Sequence, residues 1–431
     1  MISRSAGASE CFVYITLPDA TEPVTAGRFQ LSTSRQGIVT GRFVYGRSYL
    51  ARANAVEIDP VELKLGSRTF ETVLMKGLFG ALRDAGPDFW GRRVIEKHAG
   101  QPELGELDYL LHSPDDRAGA LGFGLGQVPP APLRKFSQTV DLEKLQTLAD
   151  MVLENQPISA STDATGLAQA EELLLVGTSM GGARPKAVVE DAAGLWLAKF
   201  NRSDDKWNFA RVEHAMLALA RVCGLNTPES RVECFGNREA LLVKRFDRRK
   251  VPGGYVRARM VSALTLLRAD EAAQSRQRWS YVLLAEELRR IGTDPKRDAT
   301  ELFRRMCFNA LISNIDDHPR NHALIAWEKD WSLSPAYDLT PSIPVSLERR
   351  DLAMVCGDLG RFACAANLES QAPRFLLSRD QASQLIETME SQVRATWYEV
   401  ARSCAVSDAD CAQISGAFVY PGFHASQSSC W

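Results

Sequence analysis

Apolar and polar positions follow three successive regimes along the chain. Over residues 10–75 they tend to alternate, as in ECFVYITL and GIVTGRFVYG, and turn residues punctuate the runs. A period of two predicts strands with one buried face. AVEIDPVELKLG, residues 55–66, reads as one more strand of this set. KGLFGALRDA and DFWGRRVIEKHAG switch to helical spacing, and AGALGFG (118–124) returns to a strand with a glycine-rich flank. The consecutive prolines of QVPPAPLRKFSQ (127–138) resist both helix and sheet and mark a linker.

In the second regime, DLEKLQTLADMVLEN (141–155) carries Leu142, Leu145, Leu148, Met151 and Val152 at helical intervals. A polar loop, ENQPISASTDATG, and a helical EELLLV lead into the glycine-rich GTSMGGARPK. The strand AVVE, the strand LWLAKF, a helix RVEHAMLALARVCG stopped by Gly224, and the strands SRVECF and EALLVKRFD follow. Beyond about residue 260 the pattern is mainly helical. WSYVLLAEELRRIG and ATELFRRMCFNALISN are amphipathic, ALIAW and WSLSPAYDL form short strands around a turn, and SRDQASQLIETMESQVRATWYEVARSC is one long helix. The tail FHASQSSCW is expected to be mobile. The reading is an α+β chain in three parts: a β-rich N-terminal module (1–127), a mixed region with the glycine-rich loop (128–260) and a helical region (261–431).

Composition narrows the classes. The 431 residues are 45% hydrophobic and 24% charged, the balance of an ordinary globular protein with ample core. With Lys+Arg 51 against Asp+Glu 53, there is no basic footprint over the whole chain, so direct DNA binding is not its main activity. Nine cysteines are scattered, an odd count without a C-x-x-C pair, which fits reduced thiols better than disulfides or structural zinc. The N-terminus lacks an apolar signal core, and no stretch approaches the ~20 apolar residues of a membrane span. A cytoplasmic protein is expected.

Three motifs carry chemistry. In GTSMGGARPK (177–186) three glycines let backbone N–H groups converge on an anion, with Arg184 and Lys186 adding charge. A surface turn accounts for the same residues, and the phosphate loop of ordinary NTPases, G-x-x-x-x-G-K-[ST], is absent. In LWLAKF, Lys199 stands among Leu197, Ala198 and Phe200, with Glu213 on the next helix as a partner. It is either an edge lysine reaching for water or a strand lysine that grips nucleotide phosphates. In SNIDDHPRN (313–321), Asp316 and Asn321 have the D-x-x-x-x-N spacing of a kinase catalytic loop, and Asp338 of SPAYDLTPS follows where a kinase places a metal-binding aspartate. His318 and His322 with Asp316 and Asp317 raise a metal-hydrolase cluster as a rival, which Pro319 opposes by breaking any helix that would align the imidazoles. The order of the motifs is that of a bilobed kinase.

The chain resembles the HipA-type serine/threonine kinases, the toxin components of bacterial toxin–antitoxin pairs. The resemblance rests on SMGGARPK (179–186), LAKF (197–200), LLVKRFDR (241–248), NIDDHPRN (314–321) and SPAYDLTP (334–341), and it extends to FVYGRSYLARANAVEIDP and DDRAGALGFG near the N-terminus. It implies a bilobed protein-kinase-like fold with a β-rich N-terminal module and a mainly helical C-lobe. It implies Asp316 as catalytic base and Asn321 and Asp338 as Mg2+ ligands. Lys199 would be the ATP phosphate contact, and Gly181, Gly182, Ala183, Arg184, Pro185 and Lys186 the phosphate loop. Lys244, Arg245 and Phe246 would form the hinge that meets adenine, with His318 and Tyr337 close to the nucleotide. Ser179 resembles the family's inactivating autophosphorylated serine. A protein substrate, for well-known relatives an aminoacyl-tRNA synthetase, and a helix-turn-helix antitoxin that makes the DNA contact are the implied partners. A small-molecule kinase and a non-catalytic, nucleotide-sensing co-repressor are the alternatives.

Overall fold

The structure, a computed structural model, describes residues 9–132, 136–154, 184–343 and 346–424. Packing divides the chain into two units, each assembled from separated stretches. One holds Met1–Arg202, Glu233–Val261 and Ile325–Lys329, and the other Ser203–Val232, Ser262–Leu324 and Asp330–Trp431.

The first unit opens with an antiparallel sheet of β1 (Glu10–Thr16), β2 (Pro23–Thr33), β3 (Val39–Tyr45), β4 (Phe70–Thr72) and β5 (Leu121–Gly124), in the order β4-β3-β2-β1-β5. Phe29, Phe43, Tyr45 and Tyr49 are buried, and the Phe43 and Tyr45 rings meet edge to face at 4.8 Å. Residues 55–66 correct the sequence reading: they form no strand. Asp59 Oδ1 accepts the amides of Val61, Glu62 and Leu63 at 2.8, 2.6 and 3.3 Å, which curls the backbone. Val56, Ile58 and Leu63 are nonetheless buried, so a packed irregular segment produced the alternation of a strand.

The second sheet of this unit comprises β6 (Ser137–Gln138), β7 (Lys186–Asp191), β8 (Gly194–Phe200), β9 (Ser230–Phe235, of which Glu233–Phe235 belong here) and β10 (Arg238–Lys244), ordered β6-β7-β8-β10-β9. Its two faces are read directly from the period of two. Ala187, Val189, Trp196, Ala198 and Phe200 pack on Trp90, Val94 and Ile95 of α1 (Phe89–Ala99), Tyr109 of α2 (Glu106–His112) and Leu142, Leu145 and Leu148 of α3 (Leu142–Leu153). Val188, Leu195 and Leu197 face the other way, towards Phe136 and Tyr255. Burying each large side chain here contributes about 1.5–3 kcal/mol. Helix α2 has no counterpart in the sequence reading, because seven residues give too few turns to establish a period. A hairpin of β11 (Arg248–Val251) and β12 (Gly254–Arg257) completes the unit.

The second unit is built on α4 (Phe209–Val222), α5 (Tyr281–Ile291), α6 (Pro295–Leu311) and α7 (Arg379–Ser403). Each starts on a polar cap: Asn208, Ser280, Asp294 and Ser378 accept backbone N–H bonds from the first turn. Pro295 at the first helical position pre-sets α6, which therefore begins earlier than its apolar period suggested. Leu302, Phe303, Met306 and Ala310 of α6 are fully buried, and the helix packs on α5 and α7, while α7 also packs on α4. Among the described residues, eight cysteines are free thiols and no helix is long and apolar enough to cross a membrane.

Candidate active site

One group of predicted residues assembles where α6 stops. Ser313 takes a φ of +53°, reversing the chain in the left-handed region. Its hydroxyl donates to the Ala417 carbonyl at 2.6 Å and accepts from Arg350. The Asn314 N–H still donates to the Asn309 carbonyl at 2.8 Å, so the loop leaves the helix in a fixed direction.

The two adjacent aspartates then part company. Asp316 is exposed, whereas Asp317 is wholly buried. The Asp317 carboxylate accepts from the Tyr281 hydroxyl and, at 2.7 Å, from the Ala353 N–H. Burial holds its pKa up at about 7 despite those bonds. Asp316 is thus the carboxylate that an incoming hydroxyl can reach. Pro319–Asn321 makes one 3-10 turn, in which the Asn321 N–H donates to the His318 carbonyl at 2.9 Å. The Asn321 side-chain Nδ2 donates to the Asp316 carbonyl at 3.0 Å, so the D-x-x-x-x-N spacing closes on itself as a loop.

Asp338 adjoins this loop. It has a φ of +55°, and its carbonyl accepts from Asn314 Nδ2 at 3.3 Å. Its neighbour Tyr337 donates its hydroxyl proton to the Arg320 carbonyl at 2.8 Å. Asp316, Asn321 and Asp338 are therefore brought into one hydrogen-bonded neighbourhood. The carbonyl oxygen of Asn321 and the carboxylate of Asp338 are hard oxygen donors, which would suit Mg2+.

The histidines do not join a metal cluster. His318 is half-buried, its ring edge-on to Trp279 with centroids 6.5 Å apart. His322 is buried against Tyr281 at 5.2 Å, and burial, with Arg305 and His318 nearby, pushes its pKa down to about 3, so the imidazole is neutral. Among the described residues no three His, Cys, Asp or Glu side chains are grouped to hold a metal ion. The hydrolase reading loses its ligand set, since Asp317 and His322 both turn into the core.

A second group lies in the first unit. Gly181, Gly182, Ala183 and Ser179 fall outside the described residues. From Arg184 the segment enters the sheet beside Lys199: the Phe200 N–H donates to the Pro185 carbonyl at 3.0 Å, and Arg184 Nη1 to the Phe200 carbonyl at 3.4 Å. Lys186 of β7 stands directly opposite Lys199 of β8 in the antiparallel register. Facing like charges repel. Asp88 offsets this, with its Oδ2 2.7 Å from Lys186 Nζ, and the lysine side chain is 1% exposed. Asp88 also caps α1 by accepting from the Gly91 N–H at 2.7 Å. Lys199 is half-buried, and Glu213, its expected partner, is buried on α4 in the second unit.

At the expected hinge, the Lys244 ammonium lies 5.8 Å from the Trp196 ring centroid, and the Arg245 N–H donates to the Leu195 carbonyl at 2.9 Å. Phe246 is half-buried. The Arg245 guanidinium is buried, 2.6 Å from Asp116 and 2.9 Å from Asp247. Burial alone would lower its pKa, but the two carboxylates raise it above the ordinary arginine value.

Residues 178–397 match the HipA-like C-terminal domain family. The chain belongs to the HipA-like family. The HipA-like region starts inside the glycine-rich segment and contains Lys199, Asp316, Asn321 and Asp338. A relative named "Putative kinase Y4dM", from Sinorhizobium fredii, is 28% identical over 229 residues, 48% of this chain and 53% of that protein. The chain thus spans about half the length of this curated relative. A HipA chain from Shewanella oneidensis MR-1, solved as "Toxin Antitoxin System HipA, HipB and its operator DNA complex", superposes with a TM-score of 0.67 at 16% identity, over 94% of each chain. The HipA-like fold therefore takes in the β-rich N-terminal region as well. The expected fold class holds: α+β, β-rich at the N-terminus and mainly helical towards the C-terminus.

Proposed function

We propose that this chain is an ATP-dependent kinase that phosphorylates a serine or threonine of a protein, and that it serves as the toxin of a toxin–antitoxin pair. The observation that carries the reading is the closed loop of Asp316 and Asn321 with Asp338 hydrogen-bonded beside it. Membership of the HipA-like family and the curated relative's name support it.

In this reading Asp316 accepts or orients the proton of the attacking hydroxyl. Asn321 and Asp338 hold Mg2+, which when bound neutralises charge on the phosphate oxygens. Lys199, Arg184, Lys186 and the amides of Gly181, Gly182 and Ala183 stabilise the transferring phosphoryl group, and the backbone of Lys244, Arg245 and Phe246 meets the adenine. His318 and Tyr337 border the nucleotide. Catalysis then rests on positioning and electrostatics. Ser179 is the autophosphorylation site, and a dianion there would repel the triphosphate from its own loop. The solved HipA is described with HipB and operator DNA. By analogy a small helix-turn-helix antitoxin is the partner here, with DNA contacted through it. Use of ATP places the work in the cytoplasm.

The test is incubation of the wild-type chain with radiolabelled ATP and Mg2+, followed by mapping of the labelled residue. Label on Ser179, lost in Asp316→Ala and Asp338→Ala while both variants keep their folded melting curves, is the expected result. Transfer at the wild-type rate by either variant would overturn the assignment.

A further inference from the structure

A chain of buried polar groups runs beneath the catalytic loop of the second unit. Tyr281 and Asp317 are each 0% exposed, and Asn309 and Asn314 each 1%. The Ala353 N–H and the Tyr281 hydroxyl both donate to the Asp317 carboxylate. Asn309 Nδ2 donates to the Tyr281 oxygen at 2.9 Å. Asn314 Nδ2 donates to Asn309 Oδ1 at 3.1 Å and to the Asp338 carbonyl at 3.3 Å. The direction of every bond follows from its acceptor end. Because the tyrosine gives its proton to the carboxylate, its oxygen must accept from Asn309, which leaves Asn309 Oδ1 to accept from Asn314.

Apolar side chains of the same volume would fill this space without the cost of desolvating four polar groups. What the polar chain supplies is position. One end pins the residue next to Asp316, and the other pins the peptide of Asp338 in its left-handed conformation. The middle is fixed to two helices: Asn309 on α6, and Tyr281 at the start of α5, where its N–H donates to the Val355 carbonyl at 2.9 Å. One outer link reaches the neighbour of Asp316, and the other reaches the backbone carbonyl of Asp338, so neither engages the carboxylate of Asp316 or Asp338.

Resting on the kinase reading above, we infer that Tyr281 and Asp317 are positioning residues whose hydrogen bond couples the placement of Asp316 to that of Asp338. Cutting the chain at its centre would let the two aspartates drift independently.

The test uses the full chain and the variants Tyr281→Phe and Asp317→Asn, the second keeping shape if the first folds poorly. Amide hydrogen exchange over residues 335–340 is expected to quicken in both variants, while exchange within α7 does not change. The turnover number is expected to fall about tenfold to a hundredfold, the scale of a small misplacement, with the KM for ATP within about twofold of wild type. The double variant is expected to lose no more than either single one, because both cut the same link. Unchanged exchange over 335–340 in both variants overturns the coupling whether or not the chain is active. Faster exchange with an unchanged turnover number overturns the positioning role. Absence of transfer by the wild type instead removes the kinase reading, and the exchange result then stands on its own.

Discussion

The side-chain amide of Asn321 donates to the backbone carbonyl of Asp316 at 3.0 Å. That bond commits the nitrogen of Asn321 to the loop and leaves its carbonyl oxygen as the atom that can meet a cation. In the proposed reading, one residue thereby shapes the loop that would carry the base and would supply a donor for the metal.

Two substitutions separate these roles. Asn321→Leu removes both and is expected to lower the turnover number by about a hundredfold or more, the scale of a lost positioned donor. Asn321→Asp keeps a donor oxygen but cannot donate to the Asp316 carbonyl. It is expected to retain more activity and to respond more strongly to added Mg2+. Initial rates over a Mg2+ titration measure this. Equal loss in both variants at saturating Mg2+ would show that loop closure alone matters.

The buried pair of Lys186 and Asp88 makes a prediction about stability and nucleotide together. Asp88→Ala takes a carboxylate away from a buried ammonium and removes a helix cap, for an expected loss of about 3–5 kcal/mol. Lys186→Met leaves a carboxylate that still caps α1 and is expected to cost less. Urea unfolding midpoints rank the two. If Lys186 also meets the triphosphate, Lys186→Met raises the KM for ATP as Lys199→Met does. An unaltered KM would confine Lys186 to the ion pair and leave Lys199 as the phosphate contact.

The closure of the loop between Asp316 and Asn321 could be read from the sequence because its geometry is local: the two residues are five positions apart. Asp338 could be read because a short strand pair returns the chain within 22 residues. What supports them could not. Tyr281 and Asn309 lie 36 and 8 residues before Asp317, on helices whose apolar period hides a polar inward position. The bond of Asp88 to Lys186 spans 98 positions, a separation that no local pattern marks. Residues 55–66 misled because buried irregular chain and half-buried strand alternate alike, and only Asp59 marked the difference.

A contrast between two ion pairs follows from burial. Arg245 is enclosed by Asp116 and Asp247, whose side chains are 0% and 2% exposed, while Arg42 and Glu71 pair with side chains 49% and 54% exposed. Asp116→Ala would leave Arg245 and Arg248 to share one carboxylate and is expected to cost about 3–5 kcal/mol, little changed by salt. Glu71→Ala is expected to cost under about 1 kcal/mol. Urea unfolding at low and high ionic strength checks both. A small effect at Asp116 would mean that water enters the cluster.

Asp59 gives a pH dependence of definite sign. Its Oδ1 takes three amides, but its buried Oδ2 accepts no hydrogen bond, and burial raises its pKa to about 6 against those amides. The folded chain therefore binds this proton more tightly than the unfolded chain, whose Asp titrates near ~3.9. The associated stability is fully present below about pH 4 and is lost as pH rises towards and through 6, by up to roughly 2–3 kcal/mol. Asp59→Asn keeps the oxygen that takes the amides and cannot ionise, so it removes the dependence. Unfolding free energies of both proteins between pH 4 and 7.5 should show wild type losing ground to the variant as pH rises. A difference that stays flat across that range would mean that Asp59 is already ionised in the folded chain at pH 4.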